Sequence, residues 1–343
     1  TKVIPDAVIT CSSDLGRIGL LERENAGLLN AALADLSRET IAAFEKSIRD
    51  SGIAAPLFIT QNDGTVAEAS QARRLPVYSF ASGATNSMRG AAYLSGLQDA
   101  MVIDVGGTTT DVGQLKNGFP REANSVVKVG GVRTLFRMPD LLSIGLGGGS
   151  HVQLDPLKVG PLSVGYKLLK DGIAFGGKQL TTTDIAIASG VLSLGDKSKV
   201  AHLDAATCQK VFAEAARLSE EAIDRMKTEA GDIKLIAVGG GAFLIPDKMA
   251  GVSEVIHVEH GDCANAVGAA IAQVSGECDQ IFKDMTRLEA IAAAQGIAND
   301  RAVAAGAARD TLSTIESEDM PLAYLPGNSV RVRVRVVGDV AGS

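Results

Sequence analysis

Apolar positions along the chain recur at two periods, and each period predicts an element. Between residues 22 and 49, Leu28, Leu29, Ala32, Leu33, Leu36, Ile41, Phe44 and Ile48 fall at helical spacing, and Ser51-Gly52 ends the pattern. A short apolar run over 7–11, before Ser12-Ser13-Asp14, reads as a strand entering a loop. Residues 56–60 predict a buried strand, with a turn at Gln61-Asn62-Asp63-Gly64. The stretch from Ser82 to Ser87 leads into a small-residue helix over 88–96. The clearest strand of this half is 100–105. Gly106-Gly107-Thr108-Thr109-Thr110 turns it, 111–115 returns, and Lys116-Asn117-Gly118 turns again, which predicts a β-meander carrying a Gly/Thr loop.

Further on, Asp204 is placed to cap a helix with Cys208, Val211, Phe212, Ala215, Leu218, Ile223 and Met226 on one face, closed by Gly231. A strand over 233–238 runs into Gly239-Gly240-Gly241. A strand over 252–258, a helix over 262–275 and an alanine-rich helix over 283–297 follow. Near the end, Val330, Val332, Val334 and Val336 alternate with Arg331, Arg333 and Arg335. That strict period of two predicts valines on a core face and an arginine row in water, protecting an exposed strand face. Strands and helices alternating through glycine loops predict an α/β fold.

Composition narrows the class. At 343 residues and 46% hydrophobic, the chain can bury the cores of two domains, and broad disorder is excluded. The net charge of −7, with no basic stripe interleaved by aromatics, argues against nucleic acid as a partner. Cys11, Cys208, Cys263 and Cys278 are scattered without a CxxC pair, as expected of a cytoplasmic protein without a disulfide framework. No apolar run reaches the roughly 18–20 residues of a membrane span, so no membrane partner is expected. The start, Thr1-Lys2-Val3-Ile4-Pro5, has neither an initiator Met nor a signal-peptide profile, and reads like the interior of a longer protein.

The 38 glycines gather in short clusters, the pattern of backbone that must approach something closely. The strongest cluster lies in Asp104-Val105-Gly106-Gly107-Thr108-Thr109-Thr110-Asp111. It sits in a hairpin and not before a helix, so it is neither a Walker loop nor a dinucleotide fingerprint. Its chemistry suits phosphate nevertheless: adjacent glycines leave backbone N–H groups open to an anion, and three hydroxyls add donors. Asp104 and Asp111 are candidate catalytic carboxylates, and Asp104 a candidate ligand of hydrated Mg²⁺. The plain alternative is a tight hairpin with Asx capping.

Gly147, Gly148 and Gly149 are read as a ligand cradle or a flexible linker. Gly239, Gly240 and Gly241 are read as backbone contact to adenine or ribose, or as a simple strand-to-loop turn. Asp184 either faces the cleft or caps a helix. His257, His260 and Cys263 are three apart, but a structural zinc site wants four ligands in tight pairs. Cys11 as a nucleophile lacks an assignable base, and His151 lies either at the cleft or in loop packing.

The Asp-x-Gly-Gly-Thr-x-Thr-Asp loop between two strands is similar to the phosphate loop of the actin/hexokinase-like ATPase superfamily, and its context resembles the hydantoinase/oxoprolinase family, hydantoinase A type. Three stretches carry this: 144–150 with Asp155 and Lys158-Val159-Gly160-Pro161-Leu162-Ser163; Thr181-Thr182-Thr183-Asp184; and 237–242 with Pro246-Asp247 and the segment 264–270. Together they cover about residues 1–280. The resemblance implies an actin-like ATPase (ribonuclease H-like) fold. It implies ATP and Mg²⁺ as cofactors, with phosphate held by Gly106, Gly107, Thr108, Thr109 and Thr110. It also implies ATP-dependent opening of a cyclic amide such as hydantoin, 5-oxoproline or a lactam, or activation of a carboxylation substrate, with a partner of hydantoinase B type. Family members carry two such loops and this chain has one, which matches the second by position. The expected division is therefore 1–99 as the remainder of a first lobe and 100–343 as the second, with leading strands outside the chain. Two rival readings keep the fold: a sugar or small-metabolite kinase, and a nucleotide-sensing or inert lobe.

Overall fold

Helical periodicity yields α1 (Leu21–Asp50), whose Glu22 and Glu24 in the first turn and Arg49 in the last complement the helix dipole. Gly52 takes a left-handed conformation just past its end. The computed structural model describes residues 7, 9–12, 15, 19–123, 126–323, 325 and 327–342. Ala7, Ile9, Thr10 and Cys11, expected in a first strand, lie in none. Val8, Ser13, Asp14 and the opening segment Thr1 to Pro5 lie outside the described residues.

After α1 come β1 (Phe58–Thr60), β2 (Val66–Glu68), α2 (Ala69–Arg74) and α3 (Ser82–Ser95). The meander follows as β3 (Ala100–Val105), β4 (Thr110–Lys116) and β5 (Phe119–Pro120). A small hairpin, β6 (Val127–Val129) and β7 (Val132–Thr134), precedes β8 (Leu141–Ile144), β9 (Ser150–Leu154) and β10 (Leu157–Ser163). Next are α4 (Leu168–Asp171), α5 (Thr182–Ser189), α6 (Ala205–Met226), β11 (Ile233–Val238), β12 (Val252–His257) and α7 (Ala264–Ala270). The chain closes with β13 (Val274–Phe282), α8 (Arg287–Ala304), β14 (Ser313–Pro321) and β15 (Val330–Gly338).

Contacts divide the chain into two units: 83–121 with 139–271, and 1–82 with 122–138 and 272–343. This differs from the expected split at 99/100. Residues 83–99 form most of α3, which packs on the β3 sheet, whereas Val274 of β13 pairs with Val66 of β2.

In the unit built from 83–121 and 139–271, β3, β4 and β8 form an antiparallel meander; β11 runs parallel to β3 and β12 parallel to β11. This strand order, 8-4-3-11-12, is the ribonuclease H-like arrangement of actin-like ATPases. Met101, Ile103 and Val105 of β3 face Cys208, Val211, Ala215 and Ile223 of α6. Ala100 and Val102 face Met88, Ala91 and Ala92 of α3. With both faces covered, the strand reads as one continuous apolar run. Asp204 caps α6 by accepting from the Thr207 N–H at 2.7 Å.

The other unit has a five-stranded sheet in the order β1-β2-β13-β15-β14. Ala290, Ala294, Ala298 and Ala302 form a fully buried stripe on α8, and their small size lets the helix lie close to the sheet. Gly276 of β13 sits beneath it, where a Cβ would overlap the Ala298 carbonyl. Gly276→Ala is expected to lower stability by about 1–3 kcal/mol, read as a fall in the urea midpoint.

Three expectations are corrected. The helix drawn over 262–275 stops at Ala270, because 274–282 pairs residue by residue with β15 and alternates buried Val274, Gly276 and Cys278. The alanine-rich helix starts at a capping box, Thr286 with Glu289, and runs to Ala304. The arginine row does not lie in water. Arg333 and Arg335 are only 8% and 5% exposed, because acids on neighbouring elements cover them. Arg333 pairs with Glu122 at 2.8 Å, Glu277 at 2.9 Å and Glu316 at 2.7 Å; Arg335 pairs with Glu122 and approaches Asp63 at 3.5 Å. Arg137 closes the network on Asp63 at 2.6 Å.

Candidate functional site

The β3–β4 register pairs Asp104 with Asp111 and Val105 with Thr110, leaving Gly106–Gly107–Thr108–Thr109 as the hairpin tip. The Gly106 N–H donates to the Thr109 carbonyl at 2.9 Å and closes the turn. Gly107, Thr108 and Thr109 are exposed. Among the described residues, their amides donate to no backbone carbonyl. Thr110 is different: it is fully buried and its hydroxyl donates to the Leu146 carbonyl at 2.8 Å, so it anchors the hairpin and does not face outward with the tip.

The second glycine cluster lies directly beneath. The Gly148 N–H donates to Gly106 O at 3.0 Å and the Gly149 N–H to Gly107 O at 2.7 Å, while the Gly147 N–H donates to the Ser150 hydroxyl at 2.8 Å. These amides are satisfied within the protein, so the run is a floor under the tip, neither a flexible linker nor an open cradle. A Cβ on Gly147 would lie 2.7 Å from both Gly106 O and Thr108 N, which explains why glycine is needed there. The Thr182 hydroxyl donates to Gly147 O at 2.5 Å and that of Thr183 to Gly148 O at 2.7 Å, bracing the floor from below. Asp184 is fully buried in a capping box with Thr181 and accepts from the Ala174 N–H at 2.7 Å; it is a helix cap.

The third cluster approaches from the end of β11. Gly239 has φ +90°, and a Cβ there would run into Asp104 Oδ1 and the Val105 carbonyl. The Gly241 N–H donates to Val105 O at 2.7 Å, and Gly240 is exposed. All three glycine clusters therefore converge on one exposed tip.

Just below it the two carboxylates face each other across the hairpin, where like charges repel. Burial pushes the Asp104 pKa up, and the charge of Asp111 pushes it further; a hydrogen bond from Ser87 works against both. Burial likewise raises Asp111, opposed by the Ser143 hydroxyl that donates to it. Ser87 comes from α3 and Ser143 from β8. Nothing in the local sequence marks either, because their roles exist only once those elements dock beside the hairpin. A divalent cation would offset the repulsion of this pair, and the donor set is all oxygen, as Mg²⁺ prefers. Among the described residues no three His, Cys, Asp or Glu side chains gather as a metal-binding group, so a cation at Asp104 would take its remaining ligands from water and phosphate.

The other sequence candidates have surroundings of their own. His257 is 3.5 Å from Asp247 and His260 is 3.6 Å from Glu259, both exposed. His151 is bridged to Thr181 and borders a groove of about 380 Å³ with Lys158 and Gln179. Cys11 belongs to the other unit.

Comparison with known proteins adds to this geometry. A profile described as hydantoinase/oxoprolinase matches residues 23–225, more than half of the chain. The acetophenone carboxylase gamma subunit of Aromatoleum aromaticum is 27% identical over 195 residues, covering 54% of this chain and 26% of that protein. Among solved structures, nucleotide-free acetone carboxylase, from work on ATP-dependent acetone carboxylation, superposes with a TM-score of 0.71 at 18% identity, covering 96% of this chain and 59% of that one. The ATP-dependent caprolactamase of Pseudomonas jessenii gives 0.65 at 16% identity, covering 95% and 60%. The chain thus spans about a quarter of the curated relative and about three-fifths of the two solved chains. These two likenesses show the fold, and the profile match shows the family: the chain belongs to the hydantoinase/oxoprolinase family.

Proposed function

We propose that this chain carries the phosphate-binding site of an ATP-dependent enzyme that opens a cyclic amide of the hydantoin, 5-oxoproline or lactam type. The observation that carries the reading is the convergence of three glycine clusters on an exposed Gly/Thr tip above two opposed carboxylates. The amides and hydroxyls of Gly107, Thr108 and Thr109 bind phosphate oxygens, and the exposed Gly240 leaves room beside the tip for the nucleoside. Asp104, with Asp111 opposite, would hold hydrated Mg²⁺, and the cation would supply positive charge against the phosphates. Amide resonance makes direct ring opening slow, and an O-phosphorylated amide is a far better electrophile. The chain's own work is to position phosphate and to neutralise its charge.

A second reading, carboxylation of an activated ketone, is favoured by the likeness to the gamma subunit of acetophenone carboxylase. Both readings use the same phosphate site, and in both a hydantoinase B-type partner completes the reaction. Four free cysteines suit a reducing cytoplasm, and no described helix is long and apolar enough to cross a membrane.

Product analysis separates the readings. With ATP and a panel of lactams and hydantoins, the protein together with that partner is expected to release phosphate in step with the ring-opened product, an amino acid from a lactam and an N-carbamoyl amino acid from a hydantoin. Phosphate released only with bicarbonate and a ketone would select carboxylation, and an accumulating phosphorylated metabolite would select a kinase. Gly147→Ala offers a local test: the added Cβ displaces the tip, and ATP affinity measured by calorimetry is expected to fall about tenfold or more.

A further inference from the structure

The exposed tip has two flanks, and a different segment lies against each. Beside Gly106 is Gly241, where a Cβ would sit 2.7 Å from the Gly106 carbonyl. At the other end is the turn that follows β10. There the Ser163 hydroxyl donates to Gly107 O at 3.2 Å, and the Val164 N–H donates to Gly149 O at 3.0 Å. A Cβ on Gly165 would fall 3.6 Å from the Thr108 hydroxyl oxygen. Gly241 therefore lies against one flank of the turn, at Gly106, and Gly165 against the other, at Thr108.

On the nucleotide reading above, the two flanks give the site a direction. A nucleoside seated beside Gly239–Gly241 would lay its phosphate chain across the tip, with the phosphate farthest from the ribose toward the Thr108–Gly165 flank. The tip contributes hydroxyls and amides and the pair below it two carboxylates, but neither brings a cationic side chain. Lys167 stands two residues past Gly165 in the same short helical turn, 165–167. It is exposed, with its ammonium 5.8 Å from the centre of the Tyr166 ring, and Tyr166 is itself 93% exposed. A cation resting on an exposed ring is weakly held and free to exchange that contact for a phosphate. Lysine, a compact charge on a flexible stem, suits that exchange.

We propose that Lys167 grips the terminal phosphate of the nucleotide and so makes the site distinguish a nucleoside triphosphate from a diphosphate. The inference rests on the nucleotide reading above and deepens it by naming the residue that senses the third phosphate.

Calorimetric titration with Mg·ATP and with Mg·ADP tests it on the unsubstituted protein, Lys167→Met and Lys167→Arg. Lys167→Met is expected to weaken ATP binding about tenfold or more, the scale of one lost charge-assisted hydrogen bond, while ADP affinity moves less than about twofold. Lys167→Arg is expected to keep most of the preference for ATP. Equal weakening of both nucleotides, or no change in either, would overturn the assignment of Lys167 and leave the nucleotide site standing. Failure of the unsubstituted protein to bind either nucleotide would overturn the nucleotide reading and this inference together.

Discussion

Asp104→Asn is expected to lower substrate-dependent ATP hydrolysis roughly a hundredfold or more while leaving the fold intact and no less stable. The two effects have opposite signs for one physical reason. Asp104 is partly buried, faces Asp111 across the hairpin, and has its pKa raised by burial and by that neighbour. An ionised carboxylate there costs stability at neutral pH. Asparagine is nearly isosteric, can still accept from Ser87, and removes the repulsion. It also removes the charge proposed to hold the cation. Steady-state phosphate release and a urea melt on the same preparation check both halves. Turnover unchanged by the substitution would remove Asp104 from the mechanism. A large loss of stability would mean that the carboxylate pair is structural.

The largest stability effect is expected from Arg335→Ala, about 3–5 kcal/mol as read from the urea midpoint. Its side chain is 6% exposed and faces that of Glu122, itself 8% exposed, with Asp63 at 3.5 Å. Truncation leaves those acids buried without one of their cations. Arg287→Ala is the contrast. Its pair with Asp319 has good geometry at 2.7 Å, but Arg287 is 71% exposed, and the urea midpoint is expected to stay almost where it was. Acid should find the same network. Burial alone would raise the Asp63 and Glu277 pKa values; for Asp63, Arg137, Arg335 and the Thr65 hydrogen bonds outweigh it, and for Glu277, Arg137, Arg333 and Arg335 do. Both carboxyls end below their unfolded values of about 4. Their contribution is fully present above those values and is lost as pH falls through the lowered folded ones. Glu316, which burial raises, contributes with the opposite sign.

Elements whose pattern is local were legible in the sequence. The strands over 100–105 and 233–238 match to the residue, the Asp204 cap is in place, and the hairpin carries its Gly/Thr tip where the turn residues put it. What depended on distant partners was not legible. An alternating Val/Arg strand looks half-solvated until Glu122, Glu277 and Glu316 arrive from other elements to cover the arginines. The sequence places Val274 and Ser275 at the end of a helix and 276–282 in no element, because their pairing partner, β15, lies some fifty residues on. The site shows the same division. Each glycine cluster is readable on its own as backbone made for close approach, but their convergence on one tip is not. That Gly147–Gly149 form a floor with satisfied amides, and that Thr110 and Asp184 are anchors, required the hydrogen bonds.

The central claim, that the Gly106–Thr109 tip holds nucleotide phosphate, is tested most directly by amide NMR of the protein titrated with Mg·ATP. The Gly107, Thr108 and Thr109 N–H resonances should shift most, together with those of Gly239–Gly241, and saturate with one affinity. Binding that leaves the tip amides unmoved while shifting resonances elsewhere would contradict it.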